Sequence, residues 1–335
     1  MGLKKVYWLL FCSLWLVGCA ITSAENLPAE IAPLLITAVS TTEIPFSNSI
    51  VLPATQSALA PPATRTAVFS QPPIKPTAPT VIPSVQPTFA AFGTTQTIGM
   101  SVEQRPIISH RFGYGSQTIV LVGGMHGGYE WNGIILAYEM IDYFTANPDA
   151  IPANVSLYII PSANPDGQFV VTGIDGRFTS QNVAANIELG RFNAHQVDLN
   201  RNWDCEWQAE ALWGSTSVSG GSNPFSEPET AALATFFLRE SPEVVLFWHS
   251  KANSIFVGGC GDTYPPSLAD AEIYGRTSGY PVYETFTAYP VSGDASDWLA
   301  TQNISSFTVE LKTRSQTDWS QNLVGVLALL AHYGR

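Results

Sequence analysis

Four short apolar runs, separated by stretches of helical periodicity, constrain the fold of this chain more than any other feature of its sequence. The runs, rich in Val, Ile and Phe, lie at 118–122, 155–160, 244–248 and 306–311. The helical patterns lie at 133–144, 227–239 and 323–333. Continuous apolar strands that alternate with helices indicate a sheet covered on both faces. We therefore predict an α/β fold, with a mixed, largely parallel central sheet flanked by helices in a single domain.

The first 95 residues do not have the pattern of a folded domain. Residues 1–18 begin with a basic segment and continue as an apolar run, which is typical of a signal peptide and too short to span a bilayer comfortably. The stretch that follows holds half of the chain's 24 prolines and many Thr, Ser and Ala, a composition that cannot bury enough apolar surface to fold. We predict a disordered tether over 19–95 and the folded domain over 96–335. A propeptide is the alternative, but inhibitory propeptides normally fold and this stretch lacks the required periodicity.

The signal segment ends in Leu16-Val17-Gly18-Cys19, which resembles a bacterial lipobox. A lipobox cysteine is diacylated and becomes the mature N-terminus, and two acyl chains suffice for stable anchoring. The sequence thus predicts an extracytoplasmic protein of the bacterial cell envelope, attached to the membrane through lipidated Cys19. An ordinary signal peptide with an incidental cysteine is the alternative.

Two other features bear on the compartment and the partners. Cys205 and Cys260 are the cysteines that remain in the folded domain, and an even pair in an oxidising compartment favours a disulfide, with two free buried thiols as the alternative. The formal net charge of −12 argues against nucleic acid as a partner. The oligomeric state is left open.

A histidine and a glutamate lie where the first apolar run leads through glycines into a helix. His126 and Glu130 are close enough in sequence to bind one ion at this turn. His249 follows the apolar run 244–248, at the end of another predicted strand. Two imidazoles and one carboxylate form the three-ligand, open site of a catalytic zinc. A satisfied core histidine and a helix-capping glutamate are the alternatives when each residue is taken alone.

A dense polar segment, Asp198-Leu199-Asn200-Arg201-Asn202-Trp203, lies between apolar flanks. An arginine beside an asparagine is suited to holding a carboxylate through paired hydrogen bonds. A solvated loop is the alternative.

From about residue 98 to the C-terminus, the chain resembles the zinc metallocarboxypeptidase family, carboxypeptidase A-like α/β exopeptidases. The resemblance rests on five motifs in order: the turn from His126 to Glu130, Asn164-Pro165-Asp166-Gly167, the segment from Asp198 to Trp203, His249 after its strand, and the pair formed by Tyr289 to Trp298 and Phe307 to Leu311. It implies that 96–335 is a zinc carboxypeptidase-like catalytic domain. It also implies one zinc ion, held by His126, Glu130 and His249.

The resemblance implies further roles residue by residue. Asn200, Arg201 and Tyr289 match the residues that bind the free carboxylate of a peptide C-terminus. Glu310 matches the general base, which takes a proton from the water held at the zinc. Ser296 matches the floor of the specificity pocket, with Asp294 close by. Arg191 is the expected cation for the oxyanion, with Arg177 as the alternative.

One departure from the family concerns the turn. The family has two residues between the first histidine and the glutamate, whereas three separate His126 from Glu130. We interpret the difference as a one-residue insertion absorbed by Gly127 and Gly128, although strict spacing would put Tyr129 in the place of the glutamate.

The resemblance predicts hydrolysis of C-terminal peptide bonds, with peptide or protein C-termini as substrates. The alternatives are an amidase or deacylase of the same fold, a hydrolase of cell-wall peptides, and a non-catalytic surface-anchored binding relative. Glu310 argues against the last of these, because a binding protein has no use for a general base.

Overall fold

The computed structural model describes residues 93–335, so the predicted signal segment, Cys19 and nearly all of the predicted tether lie outside the described residues. The strands are β1 Thr94–Met100, β2 Pro106–Phe112, β3 Gln117–Val122, β4 Val155–Ile160, β5 Glu210–Trp213, β6 Thr216–Ser219, β7 Val244–Ser250, β8 Ser254–Val257, β9 Val282–Tyr283 and β10 Ser305–Leu311. The helices are α1 Trp131–Ala146, α2 Pro165–Thr172, α3 Pro228–Glu240, α4 Pro265–Ser278, α5 Ala295–Thr301 and α6 Trp319–Tyr333. Within this part of the chain, no helix is both long enough and apolar enough to cross a membrane.

Eight strands form one mixed sheet in the order β1-β2-β4-β3-β7-β10-β8-β9. Its centre, β4-β3-β7-β10, is parallel throughout. β1, β2 and β8 join by antiparallel pairing, and β5 and β6 form a separate hairpin. The four apolar runs of the sequence are the four central strands, so the predicted α/β fold with a mixed, helix-flanked sheet is confirmed.

Both faces of the sheet are covered because successive side chains of a strand point to opposite sides. Ile119 and Leu121 of β3 pack in one core together with residues of α1, α4 and α6. Val120 and Val122 of the same strand pack in the other core, which includes residues of α3 and α5. Each fully buried side chain of this size contributes about 1.5–3 kcal/mol to stability, which explains why β3 has apolar residues on both faces.

The disulfide between Cys205 and Cys260 is confirmed, with a Cα–Cα distance of 5.8 Å. Cys205 follows the polar segment around Asn200 and Arg201, and Cys260 lies in the loop after β8. The bond therefore ties together two loops that are 55 residues apart in the chain.

The parallel centre of the sheet sets the position of the functional site. β3, β7 and β10 point in the same direction, so residues at their carboxyl ends meet at one edge. Sites of α/β proteins lie at this edge. His126 follows β3, and His249 and Glu310 lie near the ends of β7 and β10.

Candidate active site

A single cavity of about 530 Å³ at this edge is lined by all nine residues that the sequence analysis assigned to a site. They are His126, Glu130, Arg191, Asn200, Arg201, His249, Tyr289, Ser296 and Glu310. They come from β7, β10, α5 and the loops and turns between elements. Residues up to 184 positions apart in the chain therefore meet at one place, which a set of solvated or core residues would not do.

His126, Glu130 and His249 converge at the base of the cavity. His249 Nδ1 lies 2.9 Å from Glu130 Oε2 and 3.1 Å from His126 Nδ1. His126 Nδ1 lies 3.1 Å from the same glutamate oxygen. All three side chains are buried. Two imidazole nitrogens and a carboxylate oxygen thus point at one position.

This donor set fits zinc. Imidazole nitrogen and carboxylate oxygen are usual zinc ligands, and bonds of about 2.0–2.1 Å at tetrahedral angles separate ligand atoms by about 3.3 Å. The observed separations of 2.9 to 3.1 Å need only a slight widening to match. Burial disfavours the charged form of Glu130, but His126 and His249 outweigh it and hold the pKa of Glu130 below its ordinary value. The carboxylate is therefore ionised and ready to bind a cation.

The turn between His126 and Glu130 accommodates its extra residue through Gly127. This glycine has φ +44°, and a Cβ there would lie 2.6 Å from the carbonyl oxygen of Gly190, so a larger residue does not fit. The backbone forms a 3₁₀ turn over Gly127–Glu130 that brings Glu130 to the histidines. Tyr129 instead packs its ring against Trp213, with the ring centroids 5.2 Å apart. Glu130, and not Tyr129, occupies the ligand position.

Asp198 connects the metal ligands to a cation. Its Oδ1 lies 3.3 Å from His126 Nε2, and its Oδ2 accepts hydrogen bonds from Arg191 Nε at 2.9 Å and Nη2 at 2.7 Å. Burial opposes ionisation of Asp198, but Arg191 and His126 hold its pKa well below the ordinary value. A carboxylate behind a metal-binding histidine orients the ring and increases its basicity. Asp198 was not among the residues assigned to a site from the sequence, although its place at the start of a polar motif was a signal.

Glu310 lies beside the metal ligands on the neighbouring strand. In the register of β10 and β7 it is paired with His249, and its Oε2 accepts a hydrogen bond from Ala252 N at 3.2 Å. Burial, together with the nearby Glu130 carboxylate, raises the pKa of Glu310 to about 7. A carboxyl group with such a pKa can both accept and return a proton near neutral pH.

The two candidate arginines for the oxyanion occupy different places. Arg191 is buried and lines the cavity, and its guanidinium carbon lies 4.4 Å from the ring centroid of Trp213. Arg177 is half exposed, is paired with Asp142 at 2.7 Å, and lies in a separate depression. Arg191 is thus the arginine of the pair that is available to a group bound in the cavity.

Asn200, Arg201 and Tyr289 form a second cluster in the same cavity. Arg201 is buried and held by hydrogen bonds from its Nε to Leu212 O at 3.0 Å and from its Nη1 to Asn200 O at 2.7 Å. Tyr289 is half-buried against Phe286, with ring centroids 4.9 Å apart. The guanidinium is fixed by backbone carbonyls and forms no ion pair within residues 93–335, so its charge is available to an anion.

The inner end of the cavity is acidic. Ser296 Oγ donates a hydrogen bond to Asp294 Oδ1 at 2.5 Å, and Asn200 Nδ2 donates one to Asp294 Oδ2 at 2.7 Å. Asp297 accepts a hydrogen bond from Gly259 N at 2.9 Å. Burial and the neighbouring Asp294 raise the pKa of Asp297 to about 8. Ser296 therefore lies between two carboxyl groups, of which Asp294 takes most of the available hydrogen bonds.

Comparisons with known proteins show which proteins this chain is similar to. Zinc carboxypeptidase A 1 of Anopheles gambiae is 27% identical over 225 positions, covering 60% of this chain and 50% of that protein. The γ-D-glutamyl-L-diamino acid endopeptidase 1 of Lysinibacillus sphaericus is 28% identical over 240 positions, covering 64% of this chain and 59% of that protein. The chain thus spans about half to three-fifths of the length of these curated relatives.

Similarity to solved structures supports the fold. The structure of murein-tripeptide amidase from Escherichia coli O157 matches with a TM-score of 0.51 and 23% identity, covering 72% of this chain and 93% of that chain. The family model for zinc carboxypeptidases matches residues 82–322. Because that match includes nearly all of the folded part and the metal-ligand cluster lies within it, the chain belongs to the zinc carboxypeptidase family.

Proposed function

We propose that this protein is a zinc-dependent carboxypeptidase that hydrolyses the last peptide bond of peptides or proteins with a free C-terminus. The observation that carries the proposal is the presence of two clusters in one cavity: His126, Glu130 and His249 with Glu310, and Asn200 with Arg201 and Tyr289. The first cluster has the groups needed for hydrolysis. The second has Arg201, a cation without an ion pair among the described residues, as needed to select a terminal carboxylate.

The metal site supplies the first part of the chemistry. Zinc held by His126, Glu130 and His249 would polarise the scissile carbonyl and lower the pKa of a water molecule. Glu310 then accepts the proton of the attacking water and returns it to the departing amine.

Two cationic residues complete the proposed reaction. Arg201 forms paired hydrogen bonds with the terminal carboxylate, a geometry for which guanidinium is well suited, and Asn200 and Tyr289 add polar contacts. Arg191 faces the charge that develops on the carbonyl oxygen, and fixed cations stabilise such charge strongly where water is excluded. Ser296 and Asp294 contact the side chain of the last residue.

A second candidate function is hydrolysis of a cell-wall peptide, which uses the same groups. It is favoured by similarity to the endopeptidase of Lysinibacillus sphaericus and by the presence of Asp294 in the cavity, since an amino group on the last residue would be attracted to this carboxylate. An amidase of this fold is less well supported, because Arg201 would then lack a carboxylate partner.

A hydrolysis screen with metal analysis tests these proposals. The full-length protein is assayed for zinc and incubated with peptides that differ only in their last residue, each as the free acid and as the C-terminal amide. A cell-wall tripeptide forms a third set. Cleavage of free acids but not amides supports the carboxypeptidase, and cleavage confined to the cell-wall peptide supports the second candidate. A zinc-free protein that cleaves nothing contradicts both.

We also propose that the mature protein begins at lipidated Cys19 and is held at the cell envelope by its tether. The support is the lipobox-like sequence before Cys19 and the proline-rich composition of 19–95. Cys19→Ser should release the protein from the membrane fraction or leave it unprocessed. Mass spectrometry of the mature N-terminus decides the question, since an unmodified N-terminus beyond Cys19 contradicts the proposal.

A further inference from the structure

Arg314 is a cation of the active-site cavity without an ionic partner. It lies just after β10 and lines the cavity. Within residues 93–335 it forms no salt bridge and no hydrogen bond, and its Nε is buried without a partner. Its guanidinium carbon lies 4.2 Å from the ring centroid of Tyr129. A half-buried guanidinium in this state is costly unless a ligand supplies the missing acceptor.

The loop that carries Arg314 is held in place by a buried side chain. Asn132 Nδ2 donates hydrogen bonds to Thr313 O at 2.7 Å and to Gln316 O at 2.8 Å, and Asn132 Oδ1 accepts one from Ser250 Oγ at 3.1 Å. Asn132 has no exposed surface. The backbone on both sides of Arg314 is therefore tied to α1 and to the end of β7, the elements next to the metal ligands.

Strand β10 lines the cavity and leads directly into the loop that carries Arg314. Ser306, Thr308 and Glu310 alternate along the strand and so lie on one face. Ser306 Oγ donates a hydrogen bond to Ser296 O at 2.7 Å, at the inner end of the cavity, and Thr308 and Glu310 line its wall. Arg314 follows Glu310 by four positions in the chain and lines the same cavity. In the proposed reaction, Glu310 acts at the scissile bond, and the last residue of the substrate lies toward Ser296.

We propose that Arg314 is a specificity-determining residue that binds a carboxylate on the first substrate residue at the acyl side of the scissile bond. The inference rests on the proposed hydrolysis of a C-terminal bond. The stacking on Tyr129 and the shared cavity place the guanidinium among the groups that a bound substrate meets beside Glu130 and Glu310. A carboxylate there completes the hydrogen bonds of Arg314, in pairs where the geometry allows.

The other cations of the cavity are less suited to this role. Arg191 is paired with Asp198 and has its role at the carbonyl oxygen in the proposed function. Arg201 is on the side of the last residue, with Asn200 and Asp294. Lys251 also lines the cavity, but its side chain is exposed and its charge is screened by water.

Two kinds of substrate carry a carboxylate at this position. One is an ordinary peptide with Asp or Glu as the penultimate residue. The other is a peptide in which the penultimate residue is a glutamate linked through its side chain, so that its α-carboxylate is free. Both present the same group to Arg314, and paired substrates distinguish them.

The test uses substrate pairs that differ by a single charge. The first pair has penultimate Glu or Gln. The second has a γ-linked glutamate with its α-carboxylate either free or amidated. The ratio of kcat/KM for acid over amide is measured for the full-length wild type, Arg314→Gln, Arg314→Lys and the control Lys312→Gln. Lys312 is exposed, lies in the same loop and does not line the cavity.

We expect the wild type and Lys312→Gln to prefer the acid of at least one pair by about tenfold or more, the range of a charge-assisted hydrogen bond. Arg314→Gln should reduce that ratio to near one, mainly through a higher KM for the acid, and Arg314→Lys should restore part of it. The substrate pair whose acid-to-amide ratio falls in Arg314→Gln shows which kind of substrate supplies the carboxylate.

An equal loss of kcat/KM for the acid and the amide in Arg314→Gln overturns the proposal. A residue that acts only on Glu310 or on folding would lower both values alike. No acid preference in the wild type for either pair overturns it as well. Binding of both pairs to Glu310→Gln, with and without Arg314→Gln, is measured by calorimetry in parallel. If the wild type hydrolyses nothing, the proposed function fails, while the ratio of binding constants still decides the role of Arg314.

Discussion

Glu310 and His249 are partners in the register of the parallel strands β10 and β7, on the face of the sheet that opens into the cavity. Adjacent strands lie about 4.8 Å apart, so the proposed general base and a proposed metal ligand are held at a separation set by backbone hydrogen bonds. Neither depends on a mobile loop for its position. Substitutions that preserve the shape of either side chain should therefore change the chemistry without changing the site.

Glu310→Gln tests whether the side chain of Glu310 is needed for proton transfer but not for metal binding. We expect kcat to fall by about 10²- to 10⁴-fold, the usual contribution of a general base, while the zinc content stays at that of the wild type. Timed hydrolysis assays measure kcat, and elemental analysis of the same preparation measures the zinc content. Glu272→Gln, an exposed glutamate of α4, is the control, and an equally active Glu310→Gln would show that another group takes the proton.

Glu130→Ala and Tyr129→Phe test the ligand position in the lengthened turn. Glu130→Ala removes one of three convergent ligands, so we expect loss of bound zinc and of activity, as with a chelator. Tyr129→Phe keeps the ring that packs against Trp213 and should retain zinc. The reverse pattern in elemental analysis would place the ligand at Tyr129 and overturn the interpretation of the turn.

Arg201→Ala tests the carboxylate cluster. The wild type should cleave peptides with a free C-terminus far better than their C-terminal amides. Removal of the guanidinium should lower kcat/KM for the free acid by about 10- to 100-fold, as expected for the loss of charge-assisted hydrogen bonds, and so bring the two substrates closer together. Unchanged discrimination between acid and amide would mean that another group binds the carboxylate.

Asp297→Asn tests the acidic end of the cavity through stability. The pKa of Asp297 in the folded protein is raised to about 8, above its ordinary value of about 3.9. The stability that the protonated form contributes is thus fully present below about pH 4 and is lost as pH rises to about 8. Asn resembles the protonated form and can still accept the hydrogen bond from Gly259 N.

The free energy of unfolding of Asp297→Asn, relative to wild type, should therefore increase from pH 4 to pH 8 and then level off. Urea unfolding at several pH values measures it, with Asp149→Asn, which removes an exposed carboxylate, as the control. A constant difference across this range would show that Asp297 is ionised throughout.

The sequence predicted the centre of the sheet well and its edges poorly. β3, β4, β7 and β10 are buried on both faces, so their apolar runs stand out from the surrounding sequence. β1 is largely exposed and its sequence, Thr-Thr-Gln-Thr, carries no apolar pattern. β8 and β9 are only four and two residues long, too short for periodicity to be visible.

The same contrast holds for the site. Residues that belong to motifs, such as His249 and Arg201, were predicted because their neighbours in sequence identify them. Arg314 was not, because its significance lies in its contact with Tyr129 and in the lack of an ionic partner within the described residues, and neither is visible in the chain order. The disulfide was only partly predictable. An even number of cysteines favoured it, but only the fold shows that Cys205 and Cys260 are neighbours.

Asp198 faces His126 with one carboxylate oxygen and Arg191 with the other. One buried anion is therefore shared between a proposed metal ligand and the arginine proposed for the oxyanion. Replacing Asp198 should disturb both at once, because it removes the partner of the Arg191 guanidinium and the carboxylate behind the His126 ring.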